Sequence, residues 1–297
     1  MSRRRSGGAL LLVLLGGCAE FQKGPVATGR PDSEFVEVRG RRIHVLDTGG
    51  SATAILFIHG FGAWGRSWMP ILDRLPPSYR MIAPDLPGFG LSDRYPGDYS
   101  PGAIADDLAA LLQQRGVARA VVVGQSWGAS VAMAFALRHS QQTDRLVLIS
   151  PYVYSEQIPT VFEWMSRPLV GEALVALFWD QLVGERMELL YADPSLVTQA
   201  AVDLAERILQ RPGAKAAILA AARGMQQIAE QEHFYGGIGV ETLVVLGRQD
   251  NVTTVPFAEA IVRQLPRAHL SVIGGCGHVV QVECLGPAVT ALAEFLR

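Results

Sequence analysis

The strongest constraint on the fold is a set of short, uninterrupted apolar runs separated by helix-patterned segments. "ATAILFIHG", "RAVVVG" and "ETLVVLG" show no polar alternation. Strands of that kind are covered on both faces rather than half-exposed. "FVEV" and "RIHVLDTG" read as a hairpin around Arg39-Gly40-Arg41. "YRMIAPDLPG", "DRLVLIS" and "AHLSVIGG" bring the expected strands to eight. The segment "SPGAIADDLAALLQQRG" reads as a helix, with Ser100 as cap, Pro101 at its first position and Gly116 at its end. Ile104, Leu108, Leu111 and Leu112 fall on one face of it. Strands alternating with helices imply an α/β fold: a mostly parallel sheet with helices on both faces.

One region breaks the alternation. From Ser150 to Val240 the pattern is helical, with no convincing strand, before the chain returns to the sheet. This predicts a helical cap over about residues 152–238, inserted in a single domain spanning 34–297. Phe162, Trp164, Met165, Phe178 and Trp179 make the cap apolar. Ordinary packing explains most such side chains, and a binding surface explains the rest.

Composition fits a folded chain of this size. Of 297 residues, 49% are hydrophobic and 18% charged, enough apolar material for a sizeable core and too much for wholesale disorder. The formal charge is -2, with no Lys/Arg run beyond Arg3–Arg5, so nothing points to nucleic acid.

The beginning of the chain reads separately. "MSRRRSGGALLLVLLGGCAE" has a basic start and an apolar core from Ala9 to Leu15, too short to span a bilayer. Residues 1–17 are expected to be a signal peptide. Leu15-Gly16-Gly17-Cys18 resembles a bacterial lipobox, which implies lipidation of Cys18 and places the protein in the bacterial cell envelope. By the same resemblance, Ala19 favours the outer membrane. Residues 18–33 read as a tether. Loss of Arg3, Arg4 and Arg5 would leave 23 Lys+Arg against 28 Asp+Glu, a formal charge of -5. Cys276 and Cys284 remain; two thiols are expected there, a disulfide being the alternative that an oxidising compartment permits.

"RAVVVGQSWGASVAMAF" places Ser126 between Gly124 and Gly128, where a buried strand becomes a helix. This is the G-x-S-x-G pattern of a nucleophile elbow in its required context. Taken alone, the serine could equally be a helix N-cap. An activated serine needs a base, and the base needs an orienting acid. Of six histidines, His278 follows the apolar strand "AHLSVIGG" at its C-terminal edge, whereas His269 begins that strand. His44 lies in an early strand, His139 near a helix end and His233 in the insertion. Asp250 follows "LVVLG" at the same edge as Ser126; Asp144 precedes its strand and belongs at the other. The candidate triad is therefore Ser126, Asp250 and His278, beyond the C-terminal ends of three strands. The oxyanion hole is expected from the N–H groups of Trp127 and Phe61, the latter in "HGFG", with His59 a structural hydrogen bonder.

From Glu34 onward the chain resembles the α/β-hydrolase superfamily in its helically capped branch. The resemblance rests on "HGFG" at 59–62, "DLPGFGLSD" at 85–93, "GQSWG" at 124–128, "GRQDN" at 247–251 and "GCGH" at 275–278, with Glu283 and Pro287 after the histidine. It implies a serine hydrolase needing no metal and no organic cofactor. Members with a carboxylate nucleophile, the dehalogenases and epoxide hydrolases, are disfavoured by Ser126. The expected reaction is cleavage of a small-molecule carboxylic ester with an apolar acyl group, by a monomer held at the membrane through its lipid anchor. A carbon–carbon bond hydrolase of the same fold and a non-catalytic envelope binding protein are the alternatives.

Overall fold

The computed structural model describes residues 33–178 and 183–297. The signal peptide, Cys18, most of the tether and Trp179 lie outside the described residues. Among the described residues no helix is long and apolar enough to cross a membrane.

Eight strands form one sheet: β1 (Ser33–Val38), β2 (Arg41–Asp47), β3 (Thr53–Ile58), β4 (Tyr79–Pro84), β5 (Ala120–Gln125), β6 (Thr143–Ile149), β7 (Thr242–Gly247) and β8 (Ala268–Ile273). Their order is β1-β2-β4-β3-β5-β6-β7-β8. β1–β2 and β2–β4 are antiparallel, and every other pair is parallel. Ser33, expected in the tether, is the first residue of the sheet and sits opposite Leu46.

Counting α-helices of six residues or more, α1 (Pro101–Gln114) and α2 (Trp127–Arg138) connect the central strands. α3 (Thr160–Ser166), α4 (Val170–Phe178), α5 (Val183–Glu188), α6 (Gln199–Leu209) and α7 (Ala214–Met225) all lie between β6 and β7. α8 (Val255–Gln264) and α9 (Leu285–Leu296) complete the chain. No strand interrupts the described residues between β6 and β7. Ser100 caps α1 by accepting a hydrogen bond from the Ala103 N–H, and Pro101 opens the helix.

β5 shows why its run from Ala120 to Val123 is apolar. Its successive side chains enter different cores: Ala120 and Val122 pack with α1 and α2, Val121 and Val123 with Trp68, Ile71 and α9. Both faces are dry from Ala120 to Val123; the polar Gln125 comes only at the strand's end, where its amide donates to the His278 carbonyl at 3.3 Å. β8 differs as the outer strand of the sheet, and His269 on it is exposed. The parallel arrangement carries the ends of β3, β5, β7 and β8 to one edge, where the loops of the site begin.

Candidate active site

The turn from β5 into α2 forces Ser126 into φ 53°, ψ -125°, a conformation a side-chain-bearing residue adopts only when its surroundings compel it. The two glycines are required by space. A Cβ on Gly124 would lie 2.4 Å from the Gly128 carbonyl oxygen, and one on Gly128 2.4 Å from the Ile58 oxygen. The Ser126 N–H donates to the Ile149 carbonyl, and its own carbonyl accepts from Ala129 and Tyr152. Ser126 is therefore not a side-chain cap: its hydroxyl makes no capping bond to α2.

The hydroxyl instead meets His278. Nε2 of that ring lies 2.8 Å from Ser126 Oγ, and Nδ1 lies 2.9 Å from Asp250 Oδ2. Asp250 Oδ1 accepts from the Val252 and Thr253 N–H groups at 2.8 Å, which fixes the carboxylate plane. With the carboxylate accepting, Nδ1 carries the proton and Nε2 faces the serine as a base. His278 and Asp250 are buried and Ser126 is half-buried. The sequence thus chose the three residues that the fold brings together. The other histidines go elsewhere. His44 binds Asp85 at 2.9 Å, His139 binds Asp106 at 2.9 Å, and His233 and His269 are exposed. Asp144 pairs with Arg119 at 3.2 Å, at the opposite end of β6.

The loop after β3 stands beside the serine. A Cβ on Gly60 would lie 3.1 Å from Ser126 Cβ, so this loop approaches only because it has glycine there. Phe61 packs edge-on to Trp127, ring centres 5.8 Å apart, which locks the two loops expected to form the oxyanion hole. His59 is a hydrogen bonder. Its Nδ1–H donates to the Gly60 carbonyl at 2.8 Å, and its Nε2 accepts the Leu86 N–H at 2.9 Å. Burial, more than any other influence, holds its pKa below that of a free imidazole. Asp85 braces the same loop by accepting from the Gly65 and Leu91 N–H groups and from His44. Burial alone would raise its carboxyl, but the His44 hydrogen bond, that ring's charge and the Leu91 N–H hold it below the usual carboxylate range.

Two features around His278 escape sequence reasoning. The expectation of two thiols fails: Cys276 and Cys284 form a disulfide. The turn after β8 and the short helix Val280–Glu283 bring their Cα atoms to 6.0 Å, within bonding reach, and the bridge closes a ring around the base. Residue spacing alone does not encode that approach. Glu283 joins the base to the cap, accepting from the Gly277 N–H with one oxygen and from the Asp193 N–H at 2.8 Å with the other. The His278 N–H donates to the Leu190 carbonyl at 2.7 Å, so the segment after α5 rests on the histidine loop.

A cavity of about 430 Å³ lies under the cap. Phe61, Phe162, Met165, Leu174, Phe178 and Leu190 supply most of its apolar wall, and Arg186 is the one charged residue among the described residues that line it. Trp164, on the other side of α3, faces outward. Phe61 and Leu190 tie this cavity to the site, one on the loop after β3 that stands beside Ser126 and the other bonded to the His278 backbone.

A nucleophile elbow, a bonded Ser–His–Asp line and this sheet order define a hydrolase class. The chain belongs to the α/β-hydrolase family: residues 53–284 match its model, described as alpha/beta hydrolase fold. Among curated proteins, it is 30% identical over 254 residues to the dihydrolipoyllysine-residue acetyltransferase component of an acetoin cleaving system from Cupriavidus necator. That match covers 84% of this chain and 65% of the relative. It is 29% identical to a 2-hydroxymuconate semialdehyde hydrolase of a Pseudomonas species, over 86% of this chain and 91% of that protein. A solved meta-cleavage product hydrolase from Pseudomonas fluorescens superposes with TM-score 0.75 at 25% identity, covering 89% of this chain and 97% of its own.

Proposed function

We propose that the chain is a serine hydrolase that cleaves carboxylic esters with an apolar acyl group. Ser126 attacks the ester carbonyl, His278 takes its proton and returns it to the leaving alcohol, and Asp250 orients the ring and stabilises its cation. The Phe61 and Trp127 N–H groups hold the oxyanion. Water then repeats the sequence on the acyl-enzyme, so the cycle asks for no metal or organic cofactor. The observation that carries this reading is the bonded Asp250–His278–Ser126 line beside an apolar cavity of about 430 Å³.

A second reading is favoured by Arg186 at the cavity wall and by the hydrolases of ring-cleavage products among the relatives. Here the same serine attacks a ketone and the leaving group is carbon, with Arg186 meeting an acidic substrate. Turnover of a nitrophenyl ester panel against vinylogous diketones separates the two. Ester turnover at least a hundredfold above diketone turnover, roughly 2.7 kcal/mol in transition-state binding, is expected. Diketone preference would replace the first reading with the second. A protein that turns over neither and takes no phosphonate on Ser126 would be a binder.

The protein works as a lipid-anchored monomer in the cell envelope on this reading, through Cys18. Each buried CH₂ of an acyl chain adds about 0.8 kcal/mol of membrane affinity. Intact-mass analysis of the full chain is expected to show acyl mass at Cys18 that Cys18→Ser abolishes; an unmodified wild type would remove the anchor from the account.

A further inference from the structure

Leu190 belongs to two structures at once. It lines the apolar cavity under the cap, and its carbonyl accepts the His278 N–H at 2.7 Å. The residues after it stay against the histidine loop. A Cβ on Gly277 would lie 2.6 Å from the Ala192 nitrogen, 2.7 Å from the Leu190 oxygen and 2.8 Å from the Tyr191 carbonyl carbon. All three are backbone atoms that cannot swing aside, so the residue before the base leaves room for the cap segment only as glycine.

Glu283 closes this contact from the other side. One of its carboxylate oxygens accepts from the Gly277 N–H and the other from the Asp193 N–H at 2.8 Å. Two backbone donors, one beside the base and one on the cap segment, thus converge on one side chain. A carboxylate suits both, whereas glutamine would turn an N–H toward one of them. The Cys276–Cys284 disulfide encloses Gly277, His278 and Glu283 in one ring, so a displacement of Glu283 is carried to the base. The cap segment has little other support. Ala192 and Asp193 are exposed, and α5, which leads into it, buries only Val183. Its placement is therefore governed by the histidine loop on one side and by the contents of the cavity beside Leu190 on the other.

We infer that Glu283 is a positioning residue that couples occupancy of the cavity to the placement of His278, so that an acyl group filling the cavity speeds the chemical step as well as tightening binding. This rests on the ester reading above and states how that site favours long acyl groups over short ones. An acyl chain against Leu190 presses the segment 190–193 onto the histidine loop, and Glu283 and the Leu190 carbonyl then hold Nε2 at its 2.8 Å from Ser126 Oγ. An acetyl group fills little of a cavity of about 430 Å³ and leaves the segment unpressed. Binding energy from the remote end of the acyl chain is then realised in kcat. Misplacing a reacting group by even about 1 Å can cost on the order of a hundredfold, so a small shift of the base is enough. The acyl group stays in place through acylation and deacylation, so the effect reaches kcat whichever step limits.

The test compares nitrophenyl octanoate with nitrophenyl acetate on the full chain, as wild type and as Glu283→Gln. Wild-type kcat is expected to be about tenfold or more higher on the octanoate, and in Glu283→Gln this ratio is expected to fall to about twofold or less. Leu190→Ala, which opens the cavity wall and leaves the Glu283 bridge in place, should also lower the ratio. The double variant should lower it no further than the stronger single one, because both act along one line of contact. Equal loss of kcat on both esters in Glu283→Gln would mean that Glu283 only holds the loop together and would overturn the inference. A wild type with equal kcat on both esters, or independent effects in the double variant, would overturn it as well. Should Glu283→Gln fail to fold, Leu190→Ala decides alone, and an unchanged ratio there overturns the inference. The saturating rate at which Ser126 is modified by an octylphosphonate against a methylphosphonate reads the same coupling without ester turnover. A protein that turns over neither ester yet prefers the octyl reagent, and loses that preference in Glu283→Gln, fails the ester reading and keeps the coupling. No octyl preference in the wild type would overturn the coupling itself.

Discussion

The sheet with its triad and the cap above it are built to different standards. Every residue of β5 is buried, and its side chains divide between two cores. At its end Ser126, His278 and Asp250 meet through bonds of 2.8 and 2.9 Å, each braced by backbone N–H groups or by glycines with no room for a Cβ. The cap is uneven: α7 is buried along most of its length, whereas α5 buries only Val183 and α6 only Ala205. Its links to the base are Glu283 and the Leu190 carbonyl. Chemistry thus resides where packing over-determines geometry. Substrate choice resides where packing is loose enough to vary.

The largest expected effect lies on the sheet side. Ser126→Ala removes one oxygen and leaves the elbow intact, so kcat should fall by roughly 10⁴ to 10⁶ with the thermal midpoint nearly unchanged. A large loss of midpoint would mean that the strained turn depends on the hydroxyl, contrary to its lack of a capping bond. Asp250→Asn comes next, at about 10⁴ in kcat, because an amide in place of the Nδ1 acceptor favours the wrong imidazole tautomer. His269→Ala should change neither, since that ring is exposed on β8.

The disulfide tests the join between the two regions. Replacing Cys276 and Cys284 by serine should cost about 2–3 kcal/mol in chemical denaturation, the loop-closure value for so short a ring. Turnover should fall with it, because the ring contains His278. Unaltered kinetics would show that the Asp250 and Leu190 bonds alone position the base.

Asp85 is one of the carboxylates that build the acid limb of stability, with Asp47 and Asp106. Its carboxyl is depressed below 3.8 in the folded state, so its contribution is fully present above that pH and is lost as pH falls below it. Asp85→Asn should remove its share of this limb of the denaturation profile and lower stability at neutral pH by about 1–3 kcal/mol.

The smallest effect belongs to the cap. Phe162→Ala enlarges the cavity and removes the ring that packs edge-on against Phe61, centroids 5.0 Å apart. KM for a bulky acyl ester should rise about tenfold while kcat for a small acetyl ester holds. An equal effect on both esters would mean that the cap shapes the reaction itself and would erase the contrast.

The same contrast explains what the sequence disclosed. Apolar runs on both faces, the paired glycines around Ser126 and the placement of Asp250 and His278 after strands are local patterns imposed by a dry, parallel sheet. They can be read without coordinates. The disulfide, the Glu283 bridge and the division of α3 into an inward Phe162 and an outward Trp164 depend on how distant segments settle against each other. No local periodicity records that, and Trp164, expected with the cavity residues, was legible only once α3 had a partner.

The most direct test of the central claim is the mass of the protein after treatment with a serine-directed phosphonate, followed by peptide mapping. One adduct on Ser126, absent from Ser126→Ala and slower to form in Asp250→Asn, is the predicted result. An adduct on another serine, or full ester turnover by Ser126→Ala, would contradict it.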